Sequence, residues 1–140
     1  ENVAKQLKET EDADKVIRDM SKILNDSLVK LQEDFQKRVE QYQKQQGMMS
    51  QDQKTKEETS LKATQDQLVQ LRQTMLDEIG KKREELLTPI RAKVKDAIDA
   101  VAKDEGMSLV LEKGATNSVV LYVEDKYDIT FRVIDRIKRK

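Results

Sequence analysis

Between Glu11 and Gln46 the chain places neither Gly nor Pro, and this uninterrupted stretch limits what it can fold into more than any other feature. Apolar residues fall at Val16, Met20, Leu24, Leu28, Leu31, Phe35, Val39 and Tyr42, three and four apart. That period draws a single stripe along one long helix. The remaining faces are nearly all Lys, Asp, Glu and Gln, so the stripe is as narrow as a coiled-coil seam. In "QQGMMSQDQ", Gly47 suits the left-handed position that ends a helix. Ser50 with Gln53 three places on is a capping-box start. A second helix follows with Leu61, Leu68, Leu71, Met75, Ile79, Leu86, Ile90, Val94, Ile98 and Val101 on its stripe, ending near Asp104 before Gly106. A turn this short returns the second helix antiparallel to the first. With the turn centred near residues 48–49, residue i faces about residue 97 − i.

The two arms differ in length, roughly 54 Å against roughly 80 Å at the helical rise. Residues beyond about 86 therefore have no partner on the first helix, and the hairpin is expected to project from a body that includes the overhang. Pro89 sits at that junction, where it removes a helical hydrogen bond and favours a kink. Gly80 weakens the helix nine residues earlier. Gly80 and Pro89 are the candidate hinge, the plainer reading being a fixed kink that seats the overhang.

Composition agrees with long solvated helices. Charged residues make up 39% and aromatic residues 4% of 140, with one Pro and four Gly, which argues against a barrel or sandwich. Lys and Arg number 27 and so do Asp and Glu, so no net field draws nucleic acid or an anionic membrane. Cys and His are both absent, which removes thiol chemistry, the commonest general base and the common zinc ligands. No phosphate-cradling Gly loop and no nucleophile–base pair is present, so neither an enzyme nor a bound cofactor or metal is expected. The acids Glu124, Asp125 and Asp128 lack calcium-loop spacing and read as turn and cap residues.

Past Gly106 the pattern changes. "SLVLE" and "SVVLYVE" are rich in β-branched residues and are joined by "KGATN", which predicts a two-stranded β-hairpin over 108–123. "DKYDIT" then leads into a short final helix, 129–139, with Asp128 or Thr130 as cap and Ile129, Val133 and Ile137 on one face. The expected fold class is therefore α+β, mostly α. Its parts are a lead-in segment 1–15, a coiled-coil hairpin 16–86 with its tip at 46–51, and a β-containing body 87–140.

These last fifty residues also resemble a known family. "LLTPIRAKVKDAIDAVAKDEGMSLVLEK" followed by "VVLYVEDKYDITFRVIDRIK" is similar to the C-terminal body of the Skp/OmpH periplasmic chaperones. The positions that carry the likeness are Pro89, Ile90, Val94, Ile98, Val101, Gly106, Val110, Leu111, Tyr127, Asp128, Ile129 and Thr130. The tip "QQGMMS" looks like that family's arm tip. The resemblance implies a homotrimer whose β-containing bodies join and whose helical hairpins surround a cavity as tentacles. Family members usually open with a strand ahead of the "ENVAKQL" segment; this sequence does not include one, so the strand is either left out ahead of Glu1 or truly absent, and without it an exposed strand edge is expected. Body assembly is expected to involve Val110, Leu111, Val119, Val120, Leu121, Tyr122, Val123 and Ile129.

The function implied is an ATP-independent holdase that keeps unfolded outer-membrane β-barrel proteins from aggregating in the periplasm. Physical reasoning runs the same way: arms with one apolar seam offer weak, scattered contacts whose sum gives avidity without sequence specificity. Candidate client contacts are Met48 and Met49 at the tip, with Tyr42 and Leu61 on the arms. Phe35 and Tyr42 also read as hairpin core. Membrane or lipopolysaccharide contact finds no support in a neutral chain. The alternatives are a coiled-coil scaffold without chaperone activity and a prefoldin-like cytosolic holdase.

Overall fold

The computed structural model describes residues 2–112, 120 and 122–139. Among the described residues four α-helices follow one another: α1 (Asn2–Lys5), α2 (Lys8–Gln45), α3 (Gln51–Asp104) and α4 (Thr130–Lys138). Short 3-10 turns cover Gln46–Met48 and Asp125–Tyr127. The chain forms two compact units, one from residues 17–82 and the other from residues 1–16 and 83–140.

The 17–82 unit is an antiparallel helical hairpin. Arg38 on α2 reaches both Glu57, 2.8 Å from its Nε, and Ser60, 2.7 Å from its Nη2. That brackets the residue it is expected to face, about 59. The turn is closed as the sequence suggests at one end. The Ser50 amide donates to Gln53 Oε1 (2.9 Å) and the Gln53 amide donates to Ser50 Oγ (3.3 Å), a reciprocal capping box at the start of α3. Gly47, by contrast, lies within the 3-10 turn and has no positive φ. The stripe on α2 also shifts in phase: Ile17 is buried, whereas Val16 is 43% exposed. Both residues fit a spacing of three or four from Met20, and the fold buries Ile17. Leu31, on the expected stripe, is 44% exposed.

The other unit is held by a compact apolar core. Leu7 and Ala13 meet Ile90, Ala97 and Val101 of α3 and Ile129, Val133 and Ile137 at the C-terminus. Val133 is essentially sealed at 1% exposure. The chain breaks helix between α1 and α2, where the Thr10 hydroxyl donates to the Ala4 carbonyl (2.6 Å) and Leu7 turns inward. Helix α3 ends in a Schellman motif: Met107 N–H bonds the Ala102 carbonyl (2.8 Å) and Gly106 N–H bonds that of Lys103 (3.2 Å). Gly106 carries the left-handed φ of 67° that this requires. The N-cap of α4 is Ile129 rather than Asp128 or Thr130; Asp128, one residue earlier, accepts at Oδ1 from the Thr130 amide at 2.9 Å. Arg132 to Glu105 (2.7 Å) and Arg136 to Asp104 tie α4 to the end of α3.

The α+β class and its β-containing body are corrected. Among the described residues none is in a strand: 107–112, 120 and 122–124 are irregular, and the unit is helical. Residues 113–119 and 121, including the loop of the expected hairpin and Val119 and Leu121, lie outside the described residues. The expectation rested on β-branched content, which reports how a side chain suits a pleated, half-buried surface rather than a backbone preference. Two strands without a third element to pair with are marginal, and no third strand exists among the described residues.

Candidate functional site

In the 17–82 unit the seam is thin. Ile17, Leu61 and Met75 are buried, while Met20, Leu24, Leu28, Phe35, Val39, Leu68, Leu71 and Ile79 are only half-buried. Several large apolar side chains stand off the seam in water: Ile23 at 65%, Val69 at 66%, Leu76 at 56% and Val29 at 43% exposure. Sequence reasoning followed the dominant stripe and passed over them. The signal was present, since Val69 and Leu76 are seven apart and share a helix face that the stripe does not include. At the tip Met48 is 85% exposed and Met49 half-buried.

The four residues expected to touch a client are thus in different places. Met48 is open to solvent. Met49 and Tyr42 are half covered, and Leu61 is buried at 9% exposure inside the seam. The Tyr42 hydroxyl donates to the Glu58 carboxylate, which holds the phenol above its ordinary pKa; partial desolvation and the neighbouring Glu58 and Glu57 charges push the same way. Arg38 is likewise raised, first by its bond to Glu57. These groups tie the two helices of the hairpin together.

In the other unit, the residues expected to serve assembly divide between interior and surface. Ile129 is buried in the core (8%), whereas Val110 (36%), Leu111 (54%) and Tyr122 (82%) are exposed and Val120 and Val123 half-buried. They line an open cleft of about 1000 Å³ together with Val3, Ile98, Met107 and Leu109. Tyr127 also borders the cleft and carries the Lys126 ammonium 4.9 Å above its ring. Phe131 is 78% exposed on the outer face of α4, another residue the sequence reading did not single out. The acids near this cleft have local partners: Glu124 pairs with Lys126 at 2.7 Å and Asp128 accepts from the Thr130 amide. Among the described residues no cluster of three acidic side chains could hold a metal ion.

The expected hinge residues both lie inside α3, which remains helical through Pro89. The division between the two units falls between residues 82 and 83, two residues past Gly80 and six before Pro89. A Cβ added at Gly80 would meet nothing within 4 Å, so no close approach demands glycine there. Arg91 bridges to Glu84 at 2.8 Å, across the proline.

No helix among the described residues is long and apolar enough to cross a membrane. No curated protein matches the chain. The model of the family described as outer membrane protein (OmpH-like) matches residues 1–137, nearly the full length. The likeness read from the last fifty residues therefore extends over both units, and the chain belongs to the Skp/OmpH family of chaperones.

Proposed function

We propose that this protein is an ATP-independent holdase of the periplasm. It takes up unfolded outer-membrane β-barrel proteins in a cavity between the helical arms of a homotrimer. The observation that carries this reading is the surface of the 17–82 unit. Ile23, Val69, Leu76 and Met48 all stand exposed to solvent there. Each such side chain, if covered, contributes about 1–2 kcal/mol. Single contacts of that size do not hold a ligand, but several acting on one chain do. An unfolded β-barrel strand, apolar at every second residue, presents such contacts repeatedly. A binder that prefers the unfolded form holds it back from aggregation by mass action, without nucleotide.

Met48 and Met49 are the contacts reached first, because Met is unbranched and adapts to varied partners. Tyr42 and Leu61 are reached only where the seam parts. Val110, Leu111, Val120, Tyr122 and Val123 would serve assembly through the cleft of the other unit, with apolar side chains buried between copies. Gly80 and Pro89 would let the arm yield to clients of different size.

The test is dilution of a urea-unfolded outer-membrane β-barrel protein into buffer with and without this protein, followed by light scattering. Equimolar trimer is expected to suppress scattering without ATP. Unchanged scattering would reject the holdase and favour a scaffold. The pair Met48→Ser and Met49→Ser is expected to weaken client retention with the mass of the oligomer unchanged; full retention would move the contacts to the flanks of the arms.

A further inference from the structure

The last turns of the hairpin are built differently from the rest of it. The first ten residues of α3, "QDQKTKEETS" (51–60), contain no apolar side chain. Opposite them on α2 stand Val39 and Tyr42, as the contacts Arg38–Ser60 and Tyr42–Glu58 fix the register. A helix with no apolar face gains nothing from burial and depends on polar contacts and its cap. Those contacts are four: Arg38 to Glu57, Arg38 to Ser60, Tyr42 to Glu58, and the Ser50–Gln53 box. The Arg38–Glu57 pair is partly solvated, with 39% and 30% of the two side chains exposed, so water competes for it. Thr55, Thr59 and Thr64 turn their hydroxyls back to the carbonyls of Gln51, Thr55 and Ser60, a habit that slightly weakens and bends a helix. The buried seam resumes only at Leu61.

We propose that the polar contacts of Arg38 and Tyr42 with segment 51–60 form a latch whose opening uncovers a stored binding strip on α2, Val39 and the Tyr42 ring, for an unfolded polypeptide with alternating apolar side chains. This deepens the holdase reading and rests on it. Closed, the hairpin offers a client Met48 and isolated flank residues. Open, it adds an apolar strip on α2 with the polar 51–60 segment swung away. Such local opening belongs to the least stable part of a fold and leaves the remainder intact. The client and segment 51–60 compete for the same strip, so the fraction of open latch scales the apparent affinity.

The chain has no cysteine, which makes a site-specific staple straightforward. In the full-length variant Arg38→Cys/Glu57→Cys, a short bis-maleimide would join the two paired positions, with N-ethylmaleimide as the unlinked control. Retention of an unfolded outer-membrane β-barrel protein is measured for both and for the native chain, with helicity checked by circular dichroism. The linked form is expected to lose affinity roughly tenfold, and the unlinked control to equal or exceed the native chain. Equal retention by linked and native forms would overturn the latch while leaving the holdase standing. So would loss of retention in the unlinked control, since freeing the latch must ease opening. A native chain that retains no client would reject the holdase reading itself.

Discussion

Both units contain parts of α2 and α3, yet the one that adds α1 and α4 closes over an apolar core and the other does not. In the unit of residues 1–16 and 83–140, Val101, Val133, Ile134 and Ile137 are all at or below 5% exposure, and three helices contribute to one cluster. In the 17–82 unit a helix has a single neighbour, so its seam residues stay half wet and its other apolar residues stay exposed. Two helices can cover one stripe each; a third and fourth segment are needed to seal side chains from water. The comparison teaches where stability and binding capacity reside. The first unit seals a core of its own while Leu109, Leu111, Tyr122 and Phe131 stay exposed beside it, and the second has no such core and keeps Ile23, Val69, Leu76 and Met48 in water.

The sharpest way to break this contrast is truncation in each unit. Ile137→Ala removes a side chain 5% exposed and is expected to cost about 2–4 kcal/mol. Ile23→Ala, at 65% exposure, should cost under about 0.5 kcal/mol. Urea melts followed by circular dichroism measure both, and equal costs would erase the distinction drawn here.

A smaller pair of opposite sign concerns glycine. Gly106→Ala places a Cβ at φ +67° and is expected to destabilise by about 1 kcal/mol, although no neighbour crowds the site. Gly80→Ala, inside α3 with open space around it, should stabilise by about 0.5–1 kcal/mol. If client retention falls in Gly80→Ala while stability rises, the hinge reading is sharpened; unchanged retention removes Gly80 from it.

The smallest effects are ionic and differ in direction between the units. The Lys93 ammonium bonds Glu9, which with a backbone hydrogen bond lowers that carboxyl's pKa. Its contribution is present above the unfolded value and fades as pH falls through the folded one. Tyr42 is raised by its bond to Glu58, so its contribution is present below the unfolded tyrosine value and is lost as pH rises through the folded one. Absorbance titration should show Tyr42 ionising above the ordinary tyrosine value, and Glu58→Gln should lower it.

Much of the fold could be read from spacing. The gap-free stretch, the Ser50–Gln53 box and the paired stripes give α2, α3 and their antiparallel return with ends close to those observed. Phase was harder to read: Val16 and Ile17 satisfy the same period, and spacing alone does not say which of them is buried. Terminating glycines were also only half legible, since Gly106 takes the left-handed conformation and Gly47 does not. The β-hairpin was misjudged because Val110, Val120 and Val123 have strand propensity but no ladder partner among the described residues. Of the candidate contacts, Leu61 read as both core and surface, and burial places it in the core of the closed hairpin. Ile23, Val69 and Leu76 were missed because a stripe draws attention away from residues beside it.

The most direct measurement is amide hydrogen exchange resolved along α3. Residues 90–101, packed against Val133 and Ile137, should exchange slowest, 64–79 at intermediate rates, and 51–60 fastest by at least about tenfold. Protection of 51–60 equal to that of 90–101 would contradict the account.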